Sequence, residues 1–349
     1  MKLKLERDSK GSSVLIIVGA MIRIFLFIKQ KGSGKMINYY SVVENRIAEI
    51  ESPKEDCWIN LINPTEAEVA AIVTLYGIDT DAMKSALDTD ERSRIETDDN
   101  FTMVLVNIPT IETHNDKELY DTIPLSIFLV KKAVITVCLE ETPIIKGFIS
   151  GAVRSFDPAM KSRFVLQILY RTASQFLQYL RIIDRQSDQV ENKLHKSTQN
   201  RELIELLKLE KSLVYFTTAL RSNEVVLEKL FKNDSVKKYP EDEDLLEDVI
   251  VENKQAIEMA NIYSGILSGM MDAFASVISN NLNIVMKVLA IITIVMAIPT
   301  MIFSAYGMNV NTAGMPFADS PFGFMAIVII AVILSVIVAV IFIKTKMFR

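Results

Sequence analysis

Cysteine and histidine are almost missing from this sequence: 349 residues include only Cys57, Cys138, His114 and His195. Two thiols in separate apolar, strand-like runs make no disulfide framework and read as buried, reduced side chains. With so few histidines, no phosphate-binding loop, no nucleophile motif and no metal-ligand cluster at catalytic spacing, enzyme activity is not expected. A basic stripe is lacking too. The net charge is −5, which argues against nucleic acid as a partner. Charge itself fails along the chain: it is abundant to about residue 260 and nearly vanishes beyond.

What fills the uncharged region is apolar. Residues 288–306, "VLAIITIVMAIPTMIFSAY", and 322–343, "FGFMAIVIIAVILSVIVAVIFI", contain no charged side chain. Each approaches or exceeds the roughly 20 residues that cross about 30 Å of hydrocarbon as a helix. Two transmembrane helices are predicted, against the alternative of two buried core helices, which rarely sustain such runs without a polar face. Lys287 precedes the first span, Lys344, Lys346 and Arg349 follow the second, and the loop between has no Lys or Arg. By the positive-inside rule both ends are cytoplasmic and the loop is external. An inner (cell) membrane location follows, with lipid as a partner. A third apolar run, residues 14–28, is interrupted by Arg23 and too short to span comfortably. Residues 1–35 are read as an extension from a start assigned too early, with an interfacial anchor as the alternative.

The charged part mixes strand and helix signals. "INYYSVV", "RIAEI", "CWINL", "FTMVLVNIP", "TIPLSIFLV" and "AVITVCL" are β-branched apolar runs of strand length, the last two joined by a turn at Lys131-Lys132. Asn63-Pro64-Thr65-Glu66 offers an N-cap, a first-turn proline and an acid, so a helix is expected from there. Asp157-Pro158 is expected to cap a helix running to about Lys196, and Asn200 a second to about Phe231. From Glu241 to Ala305 only Pro299 interrupts a helical pattern; about 65 residues at 1.5 Å each would extend roughly 100 Å. The fold class is therefore an α/β cytoplasmic domain plus a long helical stalk and two C-terminal transmembrane helices. Its segments are residues 36–156 (α/β), 157–240 (antiparallel helical hairpin), 241–305 (stalk and first span), 306–321 (external loop), 322–343 (second span) and 344–349 (basic tail).

Along the long helix Asn283, Met286, Ala290, Thr293, Ala297, Thr300 and Ser304 recur by threes and fours, which puts these small or polar residues on one face. Val288, Leu289, Ile291, Ile292, Ile294, Val295, Ile298, Met301 and Ile302 occupy the others, as suits lipid. Two readings of the narrow face stand: close helix packing, or one wall of a pore completed by other subunits. Neither span holds an acid or base, which disfavours a proton relay.

The stripe ends at Tyr306-Gly307-Met308-Asn309, followed by Met315-Pro316. Here the chain resembles the CorA family of magnesium channels, whose signature is a Gly-Met-Asn triplet at the outer mouth of the pore. "SNNLNIVMKVLAIITIVMAIPT" resembles the family's inner helix, and the resemblance covers roughly residues 36–349. It departs from the family at Phe317-Ala318, where Glu-Leu is common, with Asp319 the nearest acid, and in a sparser basic tail. The resemblance implies a homo-oligomer, a pentamer, conducting Mg²⁺ with Gly307, Met308 and Asn309 as selectivity filter, the stripe lining the pore, and no organic cofactor. Mg²⁺ gives up its water reluctantly. A ring of amide oxygens from Asn309 would select the hydrated ion without holding it as carboxylates would, with Gly307 letting the backbone turn.

The same resemblance implies closure by cytosolic Mg²⁺ bound between subunits. Asp248, in "EDEDLLEDVIVEN", matches a family acid; Asp88 and Asp90, in "ALDTDERSRIE", neighbour the partner position, which Ser85 occupies here; Asp272 matches an acid near the inner pore entrance. Read on residues alone, such runs are solvated acidic faces. Two other functions remain open at this stage: transport of Zn²⁺, Co²⁺ or Ni²⁺ by the same fold, and a membrane-tethered coiled-coil scaffold, which leaves the stripe unexplained.

Overall fold

The computed structural model describes residues 37–44, 46–114, 117–194, 200–232, 240–309, 314–317 and 320–344. The expected N-terminal extension, His195, Asp319, Lys346 and Arg349 lie outside them. The chain divides into two compact units, Met1–Ser268 and Gly269–Arg349.

The first unit is built on a sheet of seven strands: β1 Ile37–Val43, β2 Arg46–Ile50, β3 Cys57–Ile62, β4 Arg94–Thr97, β5 Phe101–His114, β6 Lys117–Val130 and β7 Ala133–Cys138. Their order is β2-β1-β3-β7-β6-β5-β4, and all neighbours are antiparallel except β3 and β7. That parallel pair sits at the centre, buried on both faces along nearly its whole length. Such burial explains why these two strands read as unbroken apolar runs. Cys57 pairs in register with Ala133, and Cys138 with Ile62, so the thiols stand at opposite ends of the pair. Both are free and buried. Loss of water pushes the Cys138 thiol up to about 11.

Strand alternation sends side chains to two separate cores. Ile59, Leu61, Met103, Leu105 and Ile135 point to one face, covered by α1 (Glu66–Tyr76) and α2 (Thr80–Ser85) through Val69, Ile72, Ala82 and Met83. Trp58, Val104, Val106, Leu125 and Val134 point to the other. There they meet α3 (Pro143–Ile149), α4 (Lys161–Leu194), α5 (Asn200–Phe231) and the start of α6 (Pro240–Tyr306), through Phe148, Phe164, Leu227 and Leu246. Trp58 is the hub of this second core. Its ring lies 4.9 Å from Tyr40, 5.3 Å from Phe164 and 5.8 Å from Phe156. Its indole N–H donates to Thr136 Oγ1 at 2.8 Å, and that hydroxyl donates to Asn60 Oδ1 at 2.8 Å.

Four local readings are corrected. The cap of α1 is Thr65, not Asn63: Thr65 and Glu68 satisfy each other's backbone in a capping box, whereas Asn63 takes φ 45° and donates its N–H to Cys138. Helix α4 begins at Lys161, because Asp157 closes a turn onto the N–H of Ala159 and Lys161 then anchors to the Val130 and Lys131 carbonyls at 2.8 Å each. Strands β5 and β6 form a 14-residue ladder, longer than their apolar cores suggested. The acidic run opening α6 is also not wholly solvated: Asp242 is 3% exposed and accepts from Arg163 Nε at 2.7 Å. That bond is the first cause holding the Arg163 guanidinium above its ordinary pKa.

Replacing Thr136 with Val keeps the shape but leaves the Trp58 N–H without an acceptor and Asn60 without a donor. The expected loss is about 1–3 kcal/mol, a fall in midpoint of roughly 2–4 °C per kcal/mol. Thermal scans of Trp58 emission measure it cleanly, since this is the only tryptophan; an unchanged midpoint would refute the role.

Candidate membrane site

The second unit holds the C-terminal half of α6 and helix α7, Gly323–Lys344. Both are long and apolar enough to cross a membrane. Their covered positions are specific. On α7 Ala331 is fully buried and Ser335 9% exposed, with Ala339 partly covered four residues on. On α6 Ile291, Val295, Ile298, Ile302 and Tyr306 are partly covered at three-to-four spacing. The helices cover one another along this seam, as small residues permit in membranes. The Ala331, Ser335, Ala339 series is the seam the sequence reading missed. Four of the bulky residues assigned there to lipid therefore belong to the hairpin itself.

The stripe lies away from this seam. Asn283, Met286, Ala290, Thr293, Thr300 and Ser304 are exposed, and Ala297 is partly so. Thr293 and Thr300 donate their hydroxyl protons to the carbonyls of Leu289 and Met296, at 2.9 and 3.0 Å. The protons are thus committed, and each oxygen presents lone pairs outward. Such an oxygen accepts hydrogen bonds and repels no cation. Packing between α6 and α7 does not use this face.

At its end the helix closes on Gly307, whose N–H donates to Phe303 O at 2.9 Å and Ser304 O at 3.2 Å. Gly307 does not adopt a left-handed φ, and a Cβ there would meet those carbonyls at 3.4 and 3.6 Å, ordinary contact distances. Within one chain, then, the turn does not require glycine, contrary to expectation. What the helix end does supply is its last carbonyls, equivalent to about half a negative charge. Met308 and Asn309 follow, both exposed. The return path is pinned: the Tyr306 hydroxyl donates to Pro316 O at 2.9 Å, Phe317 takes φ 63°, and Gly323 sits under the Phe317 carbonyl where a Cβ would overlap it.

The acids proposed for regulation are not gathered within one chain. Asp248 is exposed on α6 between buried Leu246 and Val249, Asp272 is exposed further along it, and Asp88 and Asp90 are exposed in the turn after α2. Asp88 caps the N–H of Asp90 at 3.0 Å. Among the described residues no three His, Cys, Asp or Glu side chains form a metal-binding group. Ser85 accepts from Arg94 at 3.1 Å, and the same guanidinium pairs with Glu91 at 3.0 Å and Glu96 at 3.4 Å. Nearby Ser93 is locked to Asn223 of α5 at 2.8 Å, and Asn223 to both backbone groups of Asn107. The acidic turn is thereby held firmly on the helical layer.

Residues 54–344 match the family model described as CorA-like Mg²⁺ transporter protein. The chain is 28% identical over 314 residues to the cobalt/magnesium transport protein CorA of Methanocaldococcus jannaschii, covering 86% of this chain and 95% of that one. It is 24% identical over 306 residues to the protein of the same description from Thermotoga maritima, covering 83% and 82%. In three dimensions it resembles the complete structure of the CorA magnesium transporter from Methanocaldococcus jannaschii, with TM-score 0.75, 24% identity, and coverage of 90% and 99%.

Because the Phe317 carbonyl leaves no room for a Cβ, Gly323→Ala is expected to displace the 314–317 return segment. This should outweigh the gain in helix propensity, which at the first residue of a helix is smaller than the about 1 kcal/mol of an interior position. Limited proteolysis of the purified protein should cut the loop faster in the variant; equal rates with a raised thermal midpoint would overturn the constraint.

Proposed function

The chain belongs to the CorA-like Mg²⁺ transporter family, and from that premise we propose that it is a homopentameric channel, not an enzyme, that admits Mg²⁺ into the cell. The observation carrying this reading is the exposed, uncharged stripe on α6, which turns away from the α6–α7 seam and ends at Gly307, Met308 and Asn309. Five copies around an axis give the stripe a shared water-filled interior, with Asn283 at the inner end and Ser304 at the outer. The outward lone pairs of Thr293 and Thr300 then accept from the ion's own water. At the mouth, amide oxygens of Asn309 and the helix-end carbonyls bind the hydrated ion from outside its first shell, because stripping Mg²⁺ is costly. Both termini are cytoplasmic in this arrangement, and the membrane is the cell membrane. Co²⁺ is a second cargo, as the names of both relatives suggest.

For gating, Asp248 of one copy faces Asp88 and Asp90 of the next, with Asp272 nearer the inner pore entrance. Bound Mg²⁺ offsets the like charges; its loss lets them repel and favours opening. Arg94 pairs with both Glu91 and Glu96 beside Ser85 and offsets one of their two charges, so the head contributes fewer free acids than its sequence suggests.

Uptake of Mg²⁺ by liposomes containing the purified protein is expected to be blocked by cobalt(III) hexaammine and abolished in Asn309→Ala. Entry of Zn²⁺ alone, with neither protein passing Mg²⁺, would overturn the ion and the hydrated mechanism while sparing the fold.

In the same assay, neutralising Asp248, Asp88 and Asp90 together to Asn should relieve inhibition by Mg²⁺ placed on the cytoplasmic side. Undiminished inhibition would remove these acids from the gate.

A further inference from the structure

Helix α4 borders a cleft of about 430 Å³ that the transport reading does not use. Arg154 enters it from the α3–α4 connection, Gln167, Tyr170, Arg171 and Ser174 from α4, and Leu245 from α6; no carboxylate is among its lining residues. In a chain of net charge −5, a concavity with two guanidinium groups and no acid is out of keeping with its surroundings. Arg171 is also unusually placed. Its guanidinium lies 5.9 Å from the Phe148 ring centre and rests against Gly147, where a Cβ would overlap it. Contact of this kind holds an arginine in place against its neighbours. Yet Arg171 Nε is buried without an acceptor, and Gln167 Oε1, in the same wall, is buried without a donor. Buried polar atoms left unsatisfied in a native fold ask for a missing partner.

We propose that this cleft binds a small phosphate-bearing anion. Guanidinium forks match phosphate oxygens two at a time, and the volume falls in the range of small-molecule sites, roughly 300–1,000 Å³. The unsatisfied acceptor narrows the chemistry. Gln167 Oε1 needs a donor, and a phosphate monoester, with a second pKa of about 6, or inorganic phosphate, whose second pKa is about one unit higher, retains an O–H for part of the time at neutral pH, while the hydroxyls of a sugar phosphate donate throughout. Sulfate has none. Tyr170, 38% exposed, offers a ring on which a flat group of a nucleotide stacks. The bound anion touches α4 and the beginning of α6 together, since Leu245 lines the cleft and Ser174 is hydrogen-bonded to Glu252 of α6 at 3.3 Å. A phosphorylated metabolite thereby gains a hold on the helix that carries the stripe.

Calorimetric titration of the full-length protein in detergent tests this, in Mg²⁺-free buffer at constant ionic strength, with inorganic phosphate, adenosine monophosphate and sulfate as probes. Saturable binding of phosphate or the nucleotide is expected, with sulfate weaker. Arg154→Gln, on an exposed side chain, and Arg171→Lys should each weaken binding by about tenfold or more, with thermal midpoints recorded to show that the fold persists. Tighter nucleotide binding that Tyr170→Ala removes identifies an aromatic phosphate ester; equal affinities identify free phosphate. Absence of saturable binding, binding that survives both arginine substitutions, or sulfate binding as tightly as phosphate would each overturn the proposal. None of these outcomes depends on whether the protein conducts Mg²⁺.

Discussion

Hydrocarbon offers no hydrogen-bond partner, and this one constraint organises the two spans, residues 288–306 and 322–343. Each span satisfies its own backbone by being a helix. Thr293, Thr300 and Ser335 return their hydroxyl protons to carbonyls one turn back, but they meet different fates. Ser335 is buried in the hairpin seam, where its oxygen needs nothing more. Thr293 and Thr300 are exposed, with lone pairs that lipid cannot serve. In the proposed oligomer that face would meet water enclosed by further copies, although in lipid its back-bonded hydroxyls, like that of Ser335, leave no donor unsatisfied. The residues that would meet that water are the same ones that lie outside the α6–α7 seam.

In the head, the deciding question is which acids are already committed. The sequence shows an acidic run from Glu241 to Asp244 and another around Asp88 to Glu96, and by count alone either would bind cations. Three-dimensional pairing divides them. Arg163 takes Asp242 into the protein interior and holds Glu241 at 3.3 Å. Arg94 takes Glu91 and Glu96. Asp88, Asp90 and Asp248 stay exposed. A buried pair such as Arg163 with Asp242 fixes where α6 begins against α4 more than it adds net stability. Exposed acids, by contrast, are free to respond to an ion.

Legibility from sequence followed the range of the cause. Spans 288–306 and 322–343 were readable because hydrophobicity over twenty residues is a local property, and the central strands because burial on both faces leaves unbroken apolar runs. Helix caps were readable only to within a few residues: Asn63 and Thr65 are both good caps, and the choice fell to Thr65 because Glu68 lies three positions on. The outer halves of β5 and β6 were missed since Glu112, Glu118 and Asp121 interrupt the apolar pattern there, while the pairing partner that makes them strands is a different segment. Helices α2 and α3, of six and seven residues, are too short for periodicity. Burial of Asp242 and the sharing of Arg94 between Glu91 and Glu96 depend on contacts that no local pattern encodes. Within the site, the spacing that puts the stripe on one face was legible, while the covered positions Ala331 and Ser335 of α7 were not.

Gly307 also bears on why the loop contains so little charge. A helix end carries about half a negative charge, so a divalent ion about 5 Å away, still in its water, is attracted by about 0.8 kcal/mol in bulk dielectric and about 3 kcal/mol near a protein surface. In the proposed oligomer several such ends would converge on one axis, and their summed attraction would be large enough to collect ions from dilute solution. A carboxylate in direct contact would double the charge and shorten the distance, which converts capture into retention. Asn309 adds a dipole without adding a full charge, and it does so next to the helix end. In the proposed oligomer, crowding around the axis would supply the reason for glycine that the single chain lacks, since a side chain at 307 would stand among the helix ends of neighbouring copies.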